Sequence, residues 1–154
     1  MNVKFVTYNM GIQMNSIKNI RKTGLKATLP RIKILALFNS STKRHLNAED
    51  IYKLLQNDDM EIGLATIYRV LTQFEQAELL IRHTFEKGKA VFELNEGHHH
   101  DHIVCLECGK VEEFYDAEIE SRQTKIAEEL GFSLQNHSLH LYGNCKKSNC
   151  ENKN

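Results

Sequence analysis

Apolar residues recur at helical spacing in the first half of the chain and at a two-residue period later. Residues 1–14 show no clear period, and Met14 offers a second start, so this stretch is expected to be a disordered extension. Ser16 is placed to cap a short helix with Ile17 and Ile20 inward and Gly24 at its end. Thr28, Leu29 and Pro30 mark a second start, with Thr at the N-cap and Pro just inside. Its stripe is Leu29, Ile32, Leu35, Ala36 and Phe38, and the polar residues 40–42 stop it. Asn47 caps a third helix, Asp50 suits the positive end of its dipole, and Ile51, Leu54 and Leu55 form its buried face. Residues 57–61 are polar and turn-like. Over 63–77, Leu64, Ile67, Val70, Leu71 and Phe74 predict a fourth helix.

That fourth helix has an unusual outer face. Thr66, Tyr68, Arg69, Thr72 and Gln73 lie off the stripe, rich in hydrogen-bonding and flat groups. Tyr can touch a thymine methyl, and Arg can reach a guanine edge or a phosphate. Residues 79–83 and 90–94 read as two strands around a basic tip at 86–89. Three helices and then a hairpin is the order of a winged helix-turn-helix, whose last helix enters the major groove.

The second half predicts strands at 103–108 and 110–114. A helix follows, capped by Asp116, with Ile119, Ile126, Ala127 and Leu130 inward and Gly131 at its end. Residues 132–142 alternate as a further strand, and the tail is too polar to add core. The fold class is therefore α+β. A winged helix-turn-helix at 15–95 leads through a hinge and ligand strand at 96–102 into a small α/β domain at 103–154. Units with short unpaired strands often join edge to edge as dimers.

Charge changes the picture. The net charge is zero, yet residues 1–96 carry 14 basic and 10 acidic side chains, and residues 97–154 carry 6 and 10. A basic front beside an acidic rear suggests an anionic partner for the front. No apolar run reaches membrane-spanning length, and the N-terminus lacks the apolar core of a signal peptide. The expected compartment is the cytoplasm, with no membrane partner, where cysteines bind metal more readily than they form disulfides.

The candidate chemistry centres on residues 93–108, ELNEGHHHDHIVCLEC, where every histidine, carboxylate and cysteine is a metal-ligand type. Gly97, the histidines, Asp101, Ile103 and Val104 are poor helix material, so the run is expected to be extended. Alternate residues of an extended segment face opposite ways. His98, His100 and His102 then face one side, and His99 and Asp101 the other, so one strand can serve two sites. Cys105 and Cys108 form one close pair, Cys145 and Cys150 another, with folded chain between. Two such pairs suit a closed tetrahedral thiolate site, which is structural zinc. The nitrogen and oxygen candidates are His45, Glu93, His99, His100, Asp101, His102, Glu113, Glu120 and His137. Such donors suit Fe(II), Mn(II), Co(II) or Zn(II) without choosing sharply among them. No HExxH helix and no nucleophile motif argues for an enzyme.

The segments KATLPRIKIL, NAEDIYKLL, EIGLATIYRVLTQFEQAELL, FELNEGHHHDHIVCLECGKVEEF and NHSLHLYGNC together resemble the ferric uptake regulator family. That family consists of dimeric, metal-responsive transcription factors with a winged-helix domain, a hinge and an α/β dimerisation domain. The resemblance implies an all-thiolate zinc site at Cys105, Cys108, Cys145 and Cys150. It implies a regulatory Fe(II) site at His45, Glu93, His100, His102 and Glu113, where Mn(II), Co(II) or Zn(II) can substitute. An auxiliary site falls on His99, Asp101, Glu120 and His137. DNA contacts fall on Thr66, Tyr68 and Arg69 of the recognition helix and on Lys26, which reaches the minor groove. The peroxide sensors of the family carry aspartates where Glu93 and Glu113 stand, so the glutamates favour an iron-responsive repressor of A/T-rich palindromic operators. Zinc-, manganese- and peroxide-responsive regulators are the alternatives within the family. A homodimer is expected, and pairing of dimers into tetramers is left open.

Overall fold

The computed structural model describes residues 3–56, 62–85 and 88–146, with residues 3–9 as backbone only. The expected turn at 57–61, residues 86 and 87 of the hairpin tip, and Cys150 lie outside the described residues. The chain divides into two compact units, Met1–Glu96 and Gly97–Asn154.

In the first unit, α1 (Val3–Lys22), α2 (Leu29–Ser40), α3 (Ala48–Gln56) and α4 (Leu64–Gln76) precede the antiparallel hairpin β1 (Leu80–Thr84) and β2 (Ala90–Leu94). This is the winged helix-turn-helix. Its core joins Ile20 of α1 to Ile34, Leu35 and Phe38 of α2. Ile51 and Leu55 of α3, Ile67, Leu71 and Phe74 of α4, and Phe92 of the wing complete it. The cap at α3 is reciprocal: Asp50 N–H donates to Asn47 Oδ1 at 2.7 Å, and Asn47 N–H donates to Asp50 Oδ2 at 3.3 Å.

Several expectations change here. Helix α1 begins at Val3, so residues 3–14 are helical where an extension was expected. Ser16 is buried, and its hydroxyl donates to the Ile12 carbonyl at 2.9 Å; it back-bonds within a helix instead of capping one. Thr28 stands at the N-cap of α2 in extended backbone but makes no side-chain cap bond. Leu29 and Leu54 are exposed, while Ile34 is buried. Ala48, Ile51 and Leu55 line up at three- and four-residue steps on α3, and Leu54 falls to one side.

In the second unit, β3 (Asp101–Cys105) is the centre of a three-stranded sheet. It pairs antiparallel with β4 (Val111–Phe114) and parallel with β5 (His140–Gly143), and α5 (Ala117–Glu129) lies between those two in the chain. Asp101 and His102, at the end of the expected hinge and ligand strand, belong to the sheet, and the strand expected over 132–142 is confined to its end. Asp116 caps α5 as its composition predicts, accepting from the N–H groups of Glu118 and Ile119 at 2.8 and 3.1 Å. The expected inward face of α5 is not buried. Ile126 and Leu130 are 41% and 69% exposed, and Phe132 just beyond is 70% exposed.

Candidate metal centres and nucleic-acid interface

The thiols meet because a strand end, a knuckle and a returning strand converge. Cys105 closes β3, the turn after it carries Cys108, and Gly109 adopts φ of +72°, which only glycine takes readily. The Gly109 N–H donates to the Cys105 carbonyl at 2.9 Å and closes the knuckle. Strand β5 brings Cys145 back. Its N–H donates to Cys105 Sγ at 3.3 Å, and its own sulfur lies 3.8 Å from Cys108 Sγ. Sulfurs bonded at ~2.3 Å around a tetrahedral zinc stand about 3.8 Å apart. The three sulfurs lie within 4.8 Å of one another, so the donor set fits zinc. Backbone N–H groups of Cys108 and then Cys145 pull the Cys105 thiol down to about 6, so the metal-binding thiolate is the form present at neutral pH.

Next to the sheet, His99, Asp101, Glu120 of α5 and His137 offer ligand atoms within 4.8 Å of one another. His99 Nε2 lies 3.4 Å from Asp101 Oδ1 and 3.4 Å from Glu120 Oε1, and His137 Nε2 lies 3.3 Å from Glu120 Oε2. The Asp101 side chain is 0% exposed, and both its oxygens are buried with no hydrogen-bond donor among the described residues. A carboxylate left that way is costly unless a cation compensates it, so this set fits a metal.

The residues expected to hold a regulatory metal are divided between the two units. In the first unit, Leu46 and Phe92 form an antiparallel bridge, exchanging backbone bonds at 3.0 and 2.8 Å. One residue along, His45 falls opposite Glu93. His45 Nε2 lies 3.2 Å from Glu93 Oε2, and both side chains are buried. The other oxygen, Oε1, is 2.7 Å from His83 Nε2, and the His83 ring stacks on Phe85 with centroids 5.8 Å apart. His83 was not singled out from the sequence, where it is one polar residue of a strand. The signal was the hairpin register: Ile81 pairs with Glu93, so His83, two residues on, shares the Glu93 face as its diagonal neighbour. In the second unit, the His100 and His102 rings lie 4.9 Å apart, His100 Nε2 is 4.0 Å from Glu113 Oε1, and His102 pairs with Glu113 across the sheet. The odd and even members of the histidine run thus part as strand alternation predicts.

On α4, Tyr68 and Arg69 are exposed and Thr66 is half-buried; Lys26, before α2, is exposed. The Tyr68 hydroxyl donates to Glu49 Oε1 at 3.4 Å. Arg31 ties the Lys26 segment to the helix. Its Nη2 and Nε donate to Gln73 Oε1 at 2.8 and 3.2 Å, and its Nη1 donates to the Lys26 carbonyl at 2.6 Å.

A winged helix-turn-helix followed by a sheet unit carrying a thiolate set and imidazole–carboxylate sets defines a metal-responsive, DNA-binding regulator of transcription. The model of the Ferric uptake regulator family matches residues 22–142, and the chain belongs to that family. It is 64% identical over 137 residues to the ferric uptake regulation protein of Cupriavidus metallidurans, covering 89% of this chain and 96% of that one. It resembles the solved Vibrio cholerae ferric uptake regulator at a TM-score of 0.79 and 53% identity, over 84% of this chain and 98% of that one. It also resembles the Pseudomonas aeruginosa regulator solved with manganese, at 0.72 and 53% identity, over 86% of this chain and 98% of that one. Among the described residues, no helix is long and apolar enough to cross a membrane.

Proposed function

We propose that the protein is an iron-responsive repressor: with Fe(II) bound, its homodimer binds A/T-rich palindromic operators of iron-acquisition genes. One observation carries this reading. Ligands of one chemical type are divided between two units, with buried His45 and Glu93 on the DNA-reading unit and His100, His102 and Glu113 on the other. By sharing one ion, these residues fix the angle between the units. In a dimer that angle sets the separation of the two α4 helices, and only a separation near ~34 Å matches successive major grooves. Raising the competent population from ~1% to ~99% requires about 5.5 kcal/mol of preferential binding to that arrangement, which is within reach of several nitrogen and oxygen ligands. The exposed apolar face of Ile126, Leu130 and Phe132 supports burial in a homodimer.

The remaining assignments follow the donor sets. Cys105, Cys108 and Cys145, with Cys150 as the fourth thiolate, hold structural zinc that ties the tail to the sheet. His99, Asp101, Glu120 and His137 hold the auxiliary ion. Lys26 reads the minor groove, and Thr66, Tyr68 and Arg69 the major groove. The name of the Cupriavidus relative supports iron, and the manganese in the Pseudomonas structure supports Mn(II) as a substitute.

Fluorescence anisotropy on a labelled A/T-rich palindrome, with Fe(II), Mn(II) and Zn(II) in turn, tests the proposal. The parent should bind with Fe(II), and with Mn(II) or Zn(II) as substitutes, and not without a divalent ion. His45→Ala and His102→Ala should each lose that response while keeping zinc. An unchanged Fe(II) response in both variants overturns the shared site. A response to Zn(II) alone makes the protein a zinc-responsive regulator, and release of DNA by peroxide from the Fe(II) form makes it a peroxide sensor.

A further inference from the structure

His140 is a histidine that the assignments above do not use, and its place in the sheet gives it a role. Strand β3 is central, and His102 pairs with Glu113 on β4 and with His140 on β5. Side chains directly opposite each other on neighbouring strands stand on the same face. Glu113, His102 and His140 therefore form a row of three metal-ligand side chains across all three strands. The His102 and His140 rings meet edge to face with centroids 5.7 Å apart, and a ring nitrogen of each lies within 4.8 Å of the other. His100 joins the row from the segment before β3, its ring 4.9 Å from that of His102. Ligands bonded at ~2.1 Å stand about 3 Å apart around an ion. The register sets Glu113, His102 and His140 on one face, and side-chain rotation would have to bring their donor atoms together on an ion.

We propose that His140 is a ligand of the regulatory metal, and that His102, Glu113 and His140, with His100, hold a divalent cation on the second unit alone. The inference rests on the shared-site reading above and deepens it. The set mixes imidazole and carboxylate, so the cation is of the Mn(II), Fe(II), Co(II) and Zn(II) class. Loading then has two parts. The sheet residues capture the ion whatever the position of the first unit, and His45 and Glu93 complete the ligand set when that unit swings in. The division has a thermodynamic consequence. A ligand shifts a conformational equilibrium only by its difference in affinity for the two states. His140 binds equally in both arrangements, so it sets how much metal is needed. His45 and Glu93 bind in one arrangement only, so they set whether DNA is bound.

The test uses the full-length, zinc-loaded chain with His137→Ala to silence the auxiliary set. Co(II) is titrated by its visible absorption, and Mn(II) by the loss of its free-ion electron paramagnetic resonance signal. In a His45→Ala/Glu93→Ala background the chain should still bind one Co(II) per protomer. Adding His140→Ala should weaken that binding by about 10- to 100-fold, the range known for removing support from a metal site. His140→Gln, which keeps polarity and size but coordinates poorly, should behave the same, and retained zinc reports that the fold is intact. With His45 and Glu93 present, His140→Ala should move the Mn(II) midpoint for DNA binding upward by a similar factor and reach the parent's plateau at saturation. Unchanged Co(II) affinity in both His140 variants overturns the proposal. So does loss of all Co(II) binding in the His45→Ala/Glu93→Ala background. If the parent binds Co(II) through His140 but DNA binding ignores metal, the sheet site stands and the repressor reading falls.

Discussion

Glu93 shows how the neighbours of a proposed metal ligand can fix its orientation. Its carboxylate is buried, with His45 on one oxygen and His83 on the other, at 3.2 and 2.7 Å. Two contacts on opposite oxygens hold the carboxylate plane, so the atom offered to a cation is set by packing instead of being found on binding. The His83 ring is in turn held against Phe85 at a near-parallel 2°. His83→Ala should therefore lower regulatory metal affinity by about 10- to 100-fold, as loss of an outer partner does elsewhere. Measured by isothermal titration with Mn(II), that loss should be largely recovered in His83→Gln, whose amide can still donate to Oε1. A purely packing role for His83 would instead show equal losses in both variants. The histidines and carboxylates of residues 93–108 were legible as metal-ligand types, whereas His45, Glu113, Glu120 and His137 owed their expected roles to the family resemblance. His83 was legible from neither, because its meaning lies in the pairing of Ile81 with Glu93, and the register of a hairpin is a property of two strands together.

Alternation along β3 carried the most information at the scale of an element. A period of two separates His100 and His102 from His99 and Asp101, and the structure keeps the two groups in different clusters. The same reasoning failed on α5, where a stripe at helical spacing was expected to face inward. Periodicity identifies an apolar face and says nothing about which surface covers it. In the single chain none of α5 is buried. Leu130 and Phe132 stand 69% and 70% exposed, and Leu141 on β5 is also exposed. Large apolar side chains left exposed in this way are candidates for a subunit interface. Leu130→Glu should raise the dimer dissociation constant by about tenfold or more, equivalent to ~1.4 kcal/mol. Sedimentation velocity across a dilution series reads this directly, with bound zinc as the control for folding. A dimer as tight as the parent's would place the interface elsewhere.

At the scale of the molecule, the zero net charge conceals two oppositely charged halves, +4 over residues 1–96 and −4 over residues 97–154, from 14 − 10 and 6 − 10. A long-range field of that kind steers a polyanion to the first unit and keeps it off the second. Charge alone could not show which contacts turn steering into recognition. Arg31 offers a candidate link, joining the Lys26 carbonyl to Gln73 on α4, so that Lys26 and the exposed α4 face, both proposed readers, are tied together by hydrogen bonds. The two readers should then fail in different ways. On the proposed reading Lys26 would meet the negative potential of a narrow A/T-rich groove as a charge, so its removal should release fewer counterions on binding. On the same reading Tyr68 would meet base edges through its ring, so its removal should leave the salt response alone. Plotted as log affinity against log salt with Mn(II) saturating, Lys26→Ala should flatten the slope by about 0.9 per protomer engaged. Tyr68→Ala should keep the parent slope while narrowing the gap between operator and scrambled DNA, by about 1–3 kcal/mol for a lost base contact, and Tyr68→Phe, which keeps the ring, should retain most of that gap. If Tyr68→Ala flattened the slope and Lys26→Ala did not, the assignment of charge reading to one residue and base reading to the other would be reversed.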